Sequence, residues 1–180
     1  MYKKIHILGA SGAGTTTLGK AIGEKYGHTH LDTDDFFWEQ TDPPFTQKRE
    51  VGERQRRIAA EIARHEKWVL SGSMTDWGDR FLPHFDLVIY IYTQTEIRLK
   101  RLHIREEKRF GARIQPGGDM YDEHQNFLVW ASEYDTGDLQ MRSACMHAAW
   151  LEKVPCRIIR MDGALPLEEN LKLLDRMQIK

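Results

Sequence analysis

The feature that most constrains this chain is the run Gly9, Ala10, Ser11, Gly12, Ala13, Gly14, Thr15, Thr16, Thr17. It lies between a short, mainly apolar segment, Lys3 to Leu8, and a stretch with helical spacing, Thr16 to Tyr26, in which Leu18 and Ile22 share a face. The order is strand, tight loop, helix. Glycines in such a loop let backbone N–H groups converge on an anion, and the following helix presents the positive end of its dipole to it. Gly9, Gly14 and Thr16 satisfy three of the four specified positions of the phosphate-binding loop pattern. The fourth should be the lysine that reaches the β- and γ-phosphates, and Thr15 stands there. A plain turn with threonine caps would not require glycine at 9, 12 and 14. A dinucleotide-binding loop would need glycine where Thr17 is, and a nucleophile elbow would need glycine where Ala13 is.

Further along, strand and helix patterns alternate. His28 to Thr33 reads as a strand ending in acids, Pro43 and Pro44 break the chain, and Thr46 to Glu66 reads as a helix. Trp68 to Ser71 is a strand, and Asp76 to Leu82 a short helical or irregular piece. Leu87 to Tyr92 is a strand, followed by a long basic helix, Thr95 to Phe110. Gly111 to Asp119 reads as a mobile tip, and Tyr121 to Lys153 as helix with a break at Thr136, Gly137 and Asp138. Arg157 to Met161 and Leu167 to Met177 supply a last strand and helix, with Pro166 near the helix start. Strands apolar along their whole length belong to parallel sheets covered on both faces. The expectation is therefore an α/β fold of the P-loop NTPase kind, a parallel sheet of about five strands with helices on both faces. With no repeat, linker or low-complexity tract, residues 1–180 read as one domain. The proline-flanked helical region near 36–66 and the glycine tip near 105–120 then read as insertions in that domain.

Composition removes other classes. The 180 residues carry 26 Lys plus Arg against 27 Asp plus Glu, a net charge of -1, so no overall field draws the chain to nucleic acid or an anionic membrane. Its longest apolar run, Leu87 to Tyr92, is far short of a membrane span, and Ile5 to Ala10 is too short and interrupted for a signal segment. Cys145 and Cys156 have neither a paired redox nor a zinc-ligand spacing and read as reduced thiols of a cytoplasmic protein. The histidines form no recognisable zinc pattern.

Asp32, Thr33, Asp34 and Asp35 end the second predicted strand, and alternation along an extended segment puts Asp32 and Asp34 on one side, facing the ligand crevice. One carboxylate would hold Mg²⁺ through water and the other accept a proton from an acceptor hydroxyl. The competing reading is a helix N-cap with solvated acids. Neither the third nor the fourth strand ends in an acid, so the metal-linked carboxylate must come from the second. On the basic helix, Arg98, Arg101, Arg105 and Arg109 share a face suited to a polyphosphate, the alternative being a solvated helix paired with Glu106 and Glu107. Lys20 is a second source of positive charge, although its place a turn further along its helix points it away. Phe36, Phe37, Trp38 and Trp77 either line an acceptor pocket or pack under the next helix.

The strand, loop and helix followed by Leu31-Asp32-Thr33-Asp34 resemble the P-loop small-molecule kinases of the adenylate kinase and shikimate kinase type. That resemblance implies an ATP-dependent phosphotransferase. Thr16 and Asp32 would sit around Mg²⁺, and Asp32 and Asp34 would be catalytic, Asp34 as base or acceptor ligand. Gly9 to Thr17 would hold the nucleotide. Arg101, Arg105 and Arg109 look similar to the lid arginines of the adenylate kinase branch, and Asp162-Gly163 to the loop whose backbone lines the adenine. The partners would be a nucleoside triphosphate and a small-molecule acceptor, with no membrane and no nucleic acid. Three departures stand against it: Thr15 for lysine, no Asp-Gly-x-Pro-Arg run after the third strand, and Ser71-Gly72-Ser73 in place of the shikimate kinase glycine triplet. They leave the acceptor open and keep alive a nucleotide-binding sensor, or an NTPase without acceptor, as alternatives.

Overall fold

A computed structural model of the chain describes residues 2–179. Five strands, β1 (Lys4–Gly9), β2 (Thr29–Asp32), β3 (Trp68–Ser71), β4 (Leu87–Tyr92) and β5 (Arg157–Asp162), form one parallel sheet in the order β2-β3-β1-β4-β5. The expected α/β architecture is the observed one. The helices are α1 (Thr15–Tyr26), α2 (Thr33–Phe37), α3 (Val51–Ile62), α4 (Thr95–Phe110), α5 (Tyr121–Ser132), α6 (Ala144–Leu151) and α7 (Leu167–Arg176), joined in places by single 3₁₀ turns. None is long and apolar enough, among the described residues, to cross a membrane.

Alternation within the strands builds two cores. Ile5 and Ile7 of β1, Val69 of β3 and Leu87, Ile89 and Ile91 of β4 pack with Leu18 and Ile22 of α1 and Leu174 of α7. Leu8, Trp68, Leu70, Val88 and Tyr90 point the other way, to Ile58 of α3 and Trp150 of α6. Each side chain so buried contributes about 1.5–3 kcal/mol relative to exposure. His6 lies in the second layer, fully buried, stacked on Phe85 at 4.9 Å with Nδ1 3.0 Å from the Leu70 carbonyl oxygen. Burial drives its pKa down to about 4, so it is a neutral core residue.

Two helices are shorter than their periodicity suggests. α3 begins at Val51 because the Glu50 side chain accepts the Glu53 N–H at 3.0 Å, a cap that fixes the start. Residues before it fold back as a strap, with Trp38 and Lys48 in an antiparallel bridge. The expected break of the Tyr121 to Lys153 helix at Thr136 to Asp138 is present but wider, α5 stopping at Ser132 and α6 starting only at Ala144, where Ser143 caps it by accepting the Met146 N–H at 3.0 Å.

Arg98 departs most from its expected role. It is fully buried, donating to the carbonyls of Thr93 at 2.9 Å and Ala131 at 3.0 Å and to Thr95 Oγ1 at 2.7 Å, with Asp135 3.5 Å away. Its guanidinium lies 5.1 Å over the Tyr134 ring. Arg98 is therefore a structural pin between β4, α4 and α5, not a phosphate ligand, because it occupies the first turn of α4, which is packed under the glycine-rich loop. Arg98→Ala would strand those carbonyls and Asp135. It should cost about 3 kcal/mol, lowering Tm by roughly 6–12 °C in a thermal melt.

Candidate active site

β1 delivers the chain to the middle of the sheet and ends at Gly9, where a Cβ would sit 2.5 Å from the Ile91 carbonyl oxygen of β4. Ala10 is buried beneath, and Ser11 to Thr17 line a cleft of about 1190 Å³. Gly12 takes φ 81° with its α-carbon against α4, where a Cβ would stand 2.8 Å from the Arg98 carbonyl oxygen, so side chains are excluded by both conformation and space. Gly14, at φ 105°, is the N-cap of α1. The first N–H groups of that helix lack intrahelical partners, and its first turn holds no acid, so its positive end is left for an external anion. Thr93 Oγ1 donates to the Ala13 carbonyl oxygen at 3.1 Å from behind. Gly163, after β5, packs so closely on the loop that a Cβ there would meet Ala13 O at 2.5 Å.

Asp32 meets this loop directly. Thr16 Oγ1 donates to its Oδ2 at 2.8 Å, and Ser71 Oγ donates to the same oxygen at 3.1 Å. Its Oδ1 accepts the Asp34 N–H at 3.1 Å, which makes Asp32 the N-cap of α2. The strand therefore ends at Asp32, and Asp34 reaches the cleft from the first turn of a helix, not by alternation along a strand. Asp34 and Asp35 both line the cleft. Burial, with Asp32 beside it, raises the Asp34 pKa above the ordinary value of 3.8, while Arg142 and Arg105 pull it back. Its side chain opens on the cleft but is hemmed in by protein, so the desolvation is local. Burial likewise raises Asp35, and His30 and Lys20 oppose it.

Arg101, Arg105 and Arg109 line the same cleft from α4. Arg101 donates to the Gly163 carbonyl oxygen at 2.9 Å, tying α4 to the loop after β5. Arg105 Nε donates to Glu106 Oε1 at 2.7 Å, and Arg109 stands 3.9 Å from that oxygen. Lys20 also lines the cleft, contrary to the expectation that it points away, because its place one turn after Thr16 keeps it on the face towards Asp35. Phe37 and Trp38 line the cleft too, whereas Phe36 and Trp77 are core.

No protein-family model matches the chain. It is 40% identical over 176 residues to the uncharacterized protein YqaC of Bacillus subtilis (strain 168), covering 97% of each chain. It is 32% identical over 115 residues to a shikimate kinase of Acinetobacter baumannii (strain AYE), a match spanning 58% of this chain and 63% of that enzyme, less than two thirds of it. A crystal structure of shikimate kinase from Bacteroides thetaiotaomicron superposes with a TM-score of 0.58 at 19% identity, covering 99% of this chain and 100% of that one, which shows a shared fold. The chain has the P-loop NTPase fold that these kinases share.

Within this P-loop kinase fold one cleft residue escaped the sequence reading altogether. Arg142, in the irregular stretch before α6, lines the cleft and acts on Asp34, with its guanidinium 5.5 Å over the Trp130 ring. Burial lowers its pKa, and Asp34 is the leading charge holding it up. No spacing marks Arg142, since it sits on neither a helix face nor a strand end. Among the described residues no group of three His, Cys, Asp or Glu is placed to hold a metal. The donor set at Thr16 and Asp32 is instead a hydroxyl and a carboxylate, the hard oxygen ligands Mg²⁺ accepts when phosphates and water complete its shell.

A raised carboxyl pKa means that the folded chain binds the proton more readily, so ionising Asp34 lowers stability as pH rises from about 3.8 through its folded value. Asp34→Asn should therefore melt at a higher temperature than the wild type at pH 7. The difference should close as pH falls below the ordinary carboxylate range, which paired melts from pH 3 to 8 would check.

Proposed function

We propose that this chain is an ATP-dependent phosphotransferase acting on the hydroxyl of a small acceptor. The observation that carries the reading is the contact of Thr16 with Asp32, which brings the phosphate-binding loop and the acids into one cleft. At about 1190 Å³ the cleft exceeds the usual volume for one small ligand, in keeping with a nucleotide and an acceptor side by side. Ser11 to Thr17 would cradle the phosphates, and Arg101 and Gly163 would border the base. Thr16 and Asp32 would hold Mg²⁺, which would supply positive charge to offset that of the phosphates. The region near 36–66 would receive the acceptor, and that near 105–120 would act as a lid, in a cytoplasmic protein.

In transfer, the bond from the γ-phosphorus to the β,γ-bridging oxygen breaks, and a bond from that phosphorus to the acceptor oxygen forms. The acceptor proton passes to a carboxylate oxygen of Asp34, whose raised pKa suits a base, and then to water. Charge gathering on the equatorial oxygens would meet the N–H groups of the loop and the guanidinium groups of Arg105 and Arg109, since Thr15 brings only a hydroxyl. Thr15 also favours a second reading, a nucleotide-binding sensor without transfer.

³¹P NMR of ATP and Mg²⁺ with the protein, with and without a metabolite pool, decides between them. A new phosphoester signal dependent on the pool supports transfer, phosphate alone indicates hydrolysis, and unchanged ATP with a nucleotide-induced thermal shift supports the sensor. Given transfer, Asp34→Asn should lower turnover by about 10²- to 10⁴-fold with nucleotide affinity nearly intact. Arg105→Ala or Arg109→Ala should lower it by at least about 10²-fold, again with a smaller effect on binding.

A further inference from the structure

The strap between α2 and α3 and the tip that follows α4 meet across the mouth of the cleft. The strap is braced from below: Glu39 N–H donates to Gln47 O at 2.9 Å and Arg49 N–H to Phe37 O at 2.8 Å. Buried Arg49 donates to Phe36 O at 2.7 Å and to Glu39 at 2.9 Å. At its end, Thr41 and Thr46 both donate to the Pro43 carbonyl oxygen, at 2.8 and 2.9 Å. Phe45 there takes φ 64°, a conformation that a bulky residue rarely adopts, and leaves its ring 40% exposed. A ring held out in this way has a partner: the Arg109 guanidinium lies 5.6 Å from its centre. Beside it, Arg113 of the tip pairs with Asp42 of the strap at 2.7 Å and with Asp119 of its own segment at 2.6 Å. Phe45 and Arg109 both line the cleft.

We infer that Asp42 and Phe45 are positioning residues that clasp the strap to the lid, seating Arg109 over the cleft and linking the acceptor side to nucleotide closure. The inference rests on the phosphotransferase reading and deepens it. Without a loop lysine, cations for the phosphates come from α4, and the last of them, Arg109, is held from the strap. Occupation of the acceptor side, which the strap borders, is then coupled to placement of that cation, so that closure and transfer depend on both ligands. Asp42 is largely exposed, so the ion pair is weak and screened by salt, as a contact that must open for ligand exchange requires.

The test follows release of N-methylanthraniloyl-ADP with Mg²⁺ by stopped-flow fluorescence, which needs no acceptor. Asp42→Lys should speed release about tenfold, and Asp42→Lys combined with Arg113→Glu should restore it to within about threefold of wild type. Phe45→Asn, which tolerates the same backbone, should speed it about three- to fivefold. Raising salt from about 0.05 to 0.5 M should accelerate release from the wild type and slow it from Asp42→Lys, where the contact is repulsive. A merely structural role for Asp42 would produce neither the rescue nor the reversed salt response. Wild-type release and salt response in Asp42→Lys, or failure of the exchanged pair to rescue, would overturn the clasp while leaving nucleotide binding standing. Absence of binding by the wild type would overturn the nucleotide reading and the clasp with it.

Discussion

The geometry of the cleft depends on the close contact between the glycine-rich loop and the backbone beneath it. Gly12 rests on the Arg98 carbonyl of α4, Gly9 on the Ile91 carbonyl of β4, and Ala13 O is held by Thr93 and flanked by Gly163. All but the Arg98 carbonyl, which lies in the first turn of α4, stand at or just beyond the end of a parallel strand. Because β1 lies between β3 and β4, the loop emerges where the chain can turn to either side of the sheet, the place where open α/β sheets bind ligands. The buried guanidinium of Arg98 then fixes the first turn of α4 to β4 and α5, so the helix that carries Arg101, Arg105 and Arg109 is anchored at one end. Its other end reaches the tip and the strap.

Charge in the cleft is arranged around Glu106 as much as around the acids of β2 and α2. Glu106 is buried between Arg105 and Arg109 and serves both arginines as counter-ion. Glu106 keeps the arginines ordered and avoids leaving two like charges unpaired in a partly enclosed space.

The sheet and the loop were legible because their signals are local: continuous apolar runs for strands buried on both faces, and glycines at fixed offsets. The acids were legible as a pair, but the alternation invoked for them does not occur. Thr33 packs beneath Gly72, where a Cβ would fall 1.8 Å from its Oγ1, and α2 starts at once on the Asp32 cap. An aspartate followed by further acids is as much an N-cap signal as a strand end, and only the packing of Thr33 decides. Helical spacing correctly gathered Arg101, Arg105 and Arg109 on one face, yet it could not tell that Arg98 on the same face is roofed by the loop and α5. Spacing gives direction around a helix axis, whereas burial depends on what lies along it. Arg142 had no signal at all, because its place is set by where two helices end.

A buried polar network lies within electrostatic reach of Arg142. Tyr90 and Tyr134 hydroxyls lie 3.0 Å apart, Tyr134 Oη lies 2.8 Å from His147 Nδ1, and His147 Nε2 lies 3.1 Å from Ser73 Oγ, which is 2.9 Å from Thr75. The chain of contacts joins β4, the turn after α5, α6 and the loop after β3. Burial lowers the His147 pKa to about 3 and raises that of Tyr134, so both are neutral across the ordinary pH range. A protonated His147 would repel Arg142, whose positive charge already helps keep the imidazole neutral. The network thus supplies hydrogen bonds without charge, and Asp34 is left as the leading electrostatic partner of Arg142. The pairing opposes the burial and the Asp32 charge that together raise the Asp34 pKa, so the proton affinity of the proposed base is moderated by a residue about a hundred positions away.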